Sequence, residues 1–82
     1  MYPEAHAAPA PTLLARVAAG DPAAVRECLA AFGGLVWSIA RRFDPVEAED
    51  AAQEIFLDLW KSAGRYDPRI ATETAFVAMI AR

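Results

Sequence analysis

Only one cysteine and one histidine occur in these 82 residues, Cys28 and His6. A single thiol excludes an internal disulfide, and nothing else points to an oxidising compartment. Cys28 falls within a helical apolar pattern, so it reads as a small buried side chain. His6 stands apart from other possible ligands, which argues against a metal role. No run alternates β-branched and polar residues, so strands are not expected. Lysine- or arginine-rich blocks are also missing. With a formal net charge of −3, binding of nucleic acid through a broad basic patch is not supported. The sequence has no glycine-rich phosphate loop. It has no basic start leading into an apolar run, and no stretch is expected to be long enough to span a membrane. A cytoplasmic, soluble protein is the expectation.

Catalysis needs a nucleophile, a metal cluster or a tuned acid–base pair, and the residue inventory supplies none. Glu47, Glu49, Asp50, Glu54 and Asp58 are clustered, but only Lys61 is near them as a basic partner. Asp50 and Glu54, like Glu54 and Asp58, are four apart and repel mildly on a helix. They read as a binding face or a solvated face, not as a catalytic dyad. No enzyme activity, cofactor or metal is expected.

What remains is a strongly helical chain. The apolar share of 56% is inflated by alanine, which favours helix but adds little to a core. The length allows one small domain, marginal unless its helices are well formed. Residues 1–11 carry three prolines and no apolar periodicity and read as a disordered tail. Residues 12–82 read as the helical domain. Thr12 can cap a short helix bearing Leu13, Leu14 and Val17, ended by Gly20. Asp21-Pro22 places a capping carboxylate before a proline at the first helical position. Val25, Leu29, Phe32, Leu35, Val36, Ile39 and Phe43 then recur at helical spacing, with Trp37 at the core or its edge. Gly33-Gly34 interrupts this run at a cost of about 2 kcal/mol relative to two alanines, so a break or bend is expected there. Arg41 and Arg42 close the helix, where they favour its C-terminal dipole.

Asp44-Pro45-Val46-Glu47 repeats the start signal, with Glu47 placed as in a capping box. The helix that follows, to about Gly64, is two-faced. At about 100° per residue, Ala48, Ala52, Ile55, Phe56, Leu59 and Ala63 share an apolar arc. Asp50, Glu54, Asp58 and Lys61 lie opposite, with Gln53 at the edge. Leu57 sits in the middle of the polar arc and Trp60 beside it, a combination suited to docking a partner. Residues 65–71 form a loop in which Arg65 and Arg69 can reach a partner and Tyr66 packs past the helix end. Thr72 caps a last helix with a Phe76, Val77 and Ile80 stripe. No stop signal follows, so the chain is expected to be incomplete at its C-terminus. The fold class is all-α: a compact three- to four-helix bundle with Phe32, Leu35, Val36, Ile39, Ile55, Phe56, Leu59, Phe76 and Ile80 in its core.

From Gly20 onward the sequence resembles region 2 of bacterial sigma factors, specifically the extracytoplasmic-function (ECF) group. Three stretches carry the resemblance: Gly20-Asp21-Pro22-Ala23-Ala24 with Phe32 and Ile39-Ala40-Arg41-Arg42; Glu49-Asp50-Ala51-Ala52-Gln53-Glu54-Ile55-Phe56-Leu57-Asp58-Leu59-Trp60; and Tyr66-Asp67-Pro68 with Phe76-Val77-Ala78-Met79-Ile80-Ala81-Arg82. The middle stretch is the specific one.

The resemblance implies a transcription-initiation role. The acidic helix would dock on the clamp-helix coiled coil of the RNA polymerase β′ subunit through Asp50, Gln53, Glu54 and Trp60; the helical wheel adds Leu57. It also implies an anti-sigma factor as a partner, and promoter DNA only through the full-length protein, with Arg82 at the threshold of that surface. Phe76-Val77-Ala78-Met79 lacks a tryptophan that many relatives place in this helix. Two other readings remain at this stage: a helical adaptor using the same acidic face for another partner, and a helix-turn-helix DNA binder. The acidic balance disfavours the second.

Overall fold

The computed structural model describes residues 11–81. The expected tail, apart from Pro11, and Arg82 lie outside the described residues. Among the described residues there are four helices: α1 (Leu13–Ala18), α2 (Pro22–Phe43), α3 (Ala48–Ser62), continued by a 3₁₀ turn (Ala63–Arg65), and α4 (Glu73–Ile80). The protein is all-α, with no strand among the described residues.

Local chemistry accounts for three of the four starts. Oγ1 of Thr12 accepts from the Ala15 N–H at 3.1 Å, and Oγ1 of Thr72 accepts from the Ala75 N–H at 3.1 Å. A carboxylate oxygen of Asp21 accepts from the Ala23 N–H at 2.9 Å, with Pro22 just inside the helix. Each bond satisfies one of the amides that a helix N-terminus leaves unpaired. Gly20, at φ +88°, turns the chain between α1 and α2 in the left-handed region that glycine enters without penalty. The fourth start differs from expectation. Asp44 belongs to the end of α2, and its carboxylate accepts from the Glu47 N–H at 3.0 Å, closing a tight turn. Helix α3 therefore begins at Ala48, and Glu47 makes no side-chain cap. The four-residue connection folds α2 and α3 into a helical hairpin.

Gly33-Gly34 neither breaks nor ends α2, which runs unbroken for 22 residues. Its buried stripe is Ala24, Cys28, Phe32, Val36 and Ala40, at a strict four-residue interval on both sides of the glycines. Burial of a large apolar side chain contributes about 1.5–3 kcal/mol, so Phe32 and Val36 together offset the glycine cost. By length and composition α2 could cross a membrane, contrary to the expectation from sequence. Part of that apolarity is the buried stripe, and the helix packs against the three other described helices. Trp37, expected in or beside the core, lies 41% exposed.

Leu14, Cys28, Phe32, Val36, Leu59, Ala63, Phe76 and Val77 form the core, with Leu35, Ile55, Phe56, Trp60, Tyr66 and Ile80 partly buried against it. Tyr66 meets Phe76 edge-on at 5.3 Å and donates its hydroxyl to the Ala71 carbonyl at 2.8 Å. Burial pushes the Tyr66 hydroxyl pKa up, as it does the Cys28 thiol. Helix α1 has six residues, too few to be stable alone, and it is held at several points. Leu14 is fully buried, and its N–H donates to the Glu73 carboxylate at 2.9 Å, joining α1 to the first turn of α4. Arg16 donates to both oxygens of Glu27 at 3.0 and 2.6 Å and to Asp21 at 3.1 Å.

Two predictions follow from this packing. A Cβ at Gly33 or Gly34 would meet nothing within 4 Å. Gly33→Ala and Gly34→Ala should therefore each raise stability by about 1 kcal/mol, read as a higher denaturation midpoint; a drop would show that the glycines serve the fold. The second concerns acid. Hydrogen bonds from Arg16 hold the Asp21 and Glu27 carboxyls below their ordinary values. Groups depressed in the folded state contribute stability that is complete above about pH 4.5 and is lost as pH falls through the lowered values. Arg16→Gln should lower the melting temperature at pH 7, and its deficit relative to the wild type should shrink as pH falls through the lowered values. Parallel curves across that range would refute the assignment.

Candidate functional site: the outer face of α3

Helix α3 rests on the core through Ala48 and Leu59, which are buried, and Ile55 and Phe56, which are partly so. Its outer face is therefore fixed by the same 3.6-residue period. Asp50, Gln53, Glu54 and Leu57 are all exposed, and Trp60 is half-buried at one flank. At about 100° per residue, these five residues span an arc of about 120°. Glu54 marks one edge and Trp60 the other.

The five positions are not equivalent. Leu57 is 55% exposed between Gln53, Glu54 and Asp58, a leucine with its side chain in water. Trp60 stacks obliquely on Phe56, with ring centroids 5.4 Å apart, so one face of its indole is already used by the bundle. It forms a rigid shoulder beside Leu57. The carboxylates of Glu49, Asp50, Glu54 and Asp58 enter no ion pair among the described residues. Elsewhere Arg16 is shared by Asp21 and Glu27, and Arg69 pairs with Asp67 at 2.9 Å, holding that carboxyl below its ordinary pKa, while Arg26, Arg41 and Arg42 enter no ion pair among the described residues. Arg65 donates to Ser62 at 3.1 Å. Unpaired charge of one sign is thus concentrated on α3. No cluster of potential metal ligands occurs among the described residues.

Sequence periodicity misses what borders this face. Phe43 closes α2 with 70% of its surface exposed, although it continues the apolar recurrence of that helix. Together with Ile39 of α2, Glu54 and Asp58 of α3 and Ile80 of α4, it lines a groove. This lies on the opposite flank of α3 from Trp60. Three helices build that groove, so no single stretch of sequence signals it.

The sigma-70 region 2 family model matches residues 28–82 and includes every one of these positions. The chain belongs to the sigma-70 region 2 family. Among its relatives, the ECF RNA polymerase sigma factor SigK of Mycobacterium sp. (strain KMS) is 38% identical over 48 residues, which is 58% of this chain and 24% of that protein. The protein of the same name from strain JLS matches equally, as does the RNA polymerase sigma factor SigK of strain MCS. The aligned part of the chain thus spans about a quarter of these relatives' length. No solved structure gives a significant match. Two of these three relatives carry the ECF designation.

The two apolar residues of the face differ in what they do for the fold. Leu57→Gln should change stability by no more than about 0.5 kcal/mol, as for other exposed positions. Trp60→Ala should cost at least about 1 kcal/mol through its lost contact with Phe56. Chemical denaturation of both variants checks the distinction; equal effects would mean that Trp60 is not part of the bundle.

Proposed function

We propose that this chain is the core-binding part of an ECF sigma factor, a cytoplasmic transcription-initiation protein without enzymatic activity. In this reading it docks on the RNA polymerase core through the β′ clamp helices, using the outer face of α3. The observation that carries the proposal is the unpaired acidic face with Leu57 at its centre, lying within the matched region. Asp50 and Glu54 supply carboxylates that accept charge-assisted hydrogen bonds from basic residues of a coiled coil and steer its approach. Gln53 fixes register through its amide. Leu57 is the apolar anchor, and Trp60, held by Phe56, is the rigid shoulder that shields it from water.

An anti-sigma factor that covers this face would block docking by occupying the same carboxylates and Leu57. Arg82, which lies outside the described residues, is the candidate for promoter contact.

The test is binding to the cognate RNA polymerase core. Combined Gln53→Ala and Glu54→Arg substitution should weaken binding by at least about tenfold, corresponding to about 1.4 kcal/mol. The helical circular dichroism spectrum should stay unchanged, because both side chains are exposed. Unaltered affinity would assign docking to another surface. Failure of the unsubstituted chain to bind core, with stable capture of a different partner by the same face, would favour the helical-adaptor reading.

A further inference from the structure

The groove beside the acidic face has a composition that specifies an occupant. It is lined by Ile39 and Phe43 of α2, Ile55, Glu54 and Asp58 of α3, and Ile80 of α4. The volume is about 230 Å³, below the roughly 300–1,000 Å³ of small-molecule sites. It is large enough for one long side chain. Glu54 and Asp58 are one helical turn apart, exposed and free of ion pairs among the described residues. Phe43 offers its ring at the lip with 70% of its surface exposed.

We infer that this groove takes one arginine side chain of the docking partner, its aliphatic stem along Ile39 and Ile80 and its guanidinium between Glu54, Asp58 and the Phe43 ring. The chemistry selects arginine over lysine. A planar guanidinium can bridge two carboxylates and stack on an aromatic face at the same time, whereas an ammonium is a compact, strongly hydrated point charge. A purely apolar occupant would bury both carboxylates without partners, which is costly. Glu54 belongs both to the outer face and to this lining, so the groove continues the docking surface across α3 on the side away from Trp60. The inference rests on the polymerase-docking reading and extends it to Phe43 and Asp58.

The experiment measures affinity of the full chain for the cognate polymerase core at several salt concentrations, with four variants. Asp50→Asn lies on the outer face, away from the groove; Phe43→Ser, Phe43→Tyr and Asp58→Asn probe the groove. Phe43→Ser and Asp58→Asn should each weaken binding about tenfold, Phe43→Tyr should retain it, and Asp58→Asn should flatten the salt dependence. The thermal midpoints of the exposed-site variants should stay near the wild type. If Asp50→Asn weakens binding while the Phe43 and Asp58 variants do not, the groove assignment is overturned and the docking reading stands. If the unsubstituted chain does not bind core, both fall. If sedimentation shows a dimer that Phe43→Ser dissolves, the groove belongs to a second copy of the chain and the arginine assignment is wrong.

Discussion

The uninterrupted course of α2 is the constraint on which the rest of this structure depends. Cys28 and Phe32 lie before the glycine pair, Val36 and Ala40 after it, and all four face one core. They can do so only if the helix keeps its phase through Gly33 and Gly34, since about 100° of rotation per residue leaves little room for a slip. Each other described helix packs on this rod, α3 being folded back onto it by the turn at Asp44. A break at the glycines would leave Ile39 and Phe43 without a fixed relation to Ile55 and Ile80, and the groove between them would not exist.

Charge is distributed to match this arrangement. At the N-terminal end of the bundle, each strong interaction is closed internally: Arg16 with Glu27 and Asp21, and Glu73 with the Leu14 amide. Those contacts hold a helix too short to persist alone. On α3 the carboxylates are left open, although Lys61 lies on the same helix. Side chains four apart and of like charge weaken a helix slightly, a cost met by the burial of Leu59 and the partial burial of Ile55 and Phe56 beneath them. The proposed docking reading rests on this acidic face being left open.

The parts of the fold that could be read from sequence are those governed by neighbours in the chain. Thr12, Asp21 and Thr72 act on amides two or three residues away, and Gly20 acts on its own dihedral, so local chemistry alone identifies them. The exposure of Asp50, Gln53, Glu54 and Leu57 follows from the period of one helix. The misreadings share the opposite character. The penalty at Gly33-Gly34 is local, but the burial of Phe32 and Val36 that offsets it depends on α3 and α4. Glu47 copies a capping pattern, but Asp44 was already committed to the end of α2. Trp37 follows the apolar residues Leu35 and Val36, yet one step of 100° carries it outside. The bond from the Leu14 amide to Glu73 spans 59 positions and has no sequence signature.

The same distinction separates the two halves of the proposed docking surface. Its outer face is a property of α3 alone and survives any movement of the neighbouring helices. The groove is a property of three helices, so its shape depends on how α4 sits against α2 and α3. Phe43 stands at the turn where α2 ends, and Asp44 fixes that turn with a single hydrogen bond to the Glu47 amide. Glu54 is where the halves meet: it is positioned by the period of its own helix and also lines the groove. A partner engaging Glu54 alone gains a surface ion pair, commonly about 0–1 kcal/mol. One that also enters the groove removes apolar surface from water and places its charge between two carboxylates. Affinity then depends on the packing of the whole bundle and not on the acidic helix by itself.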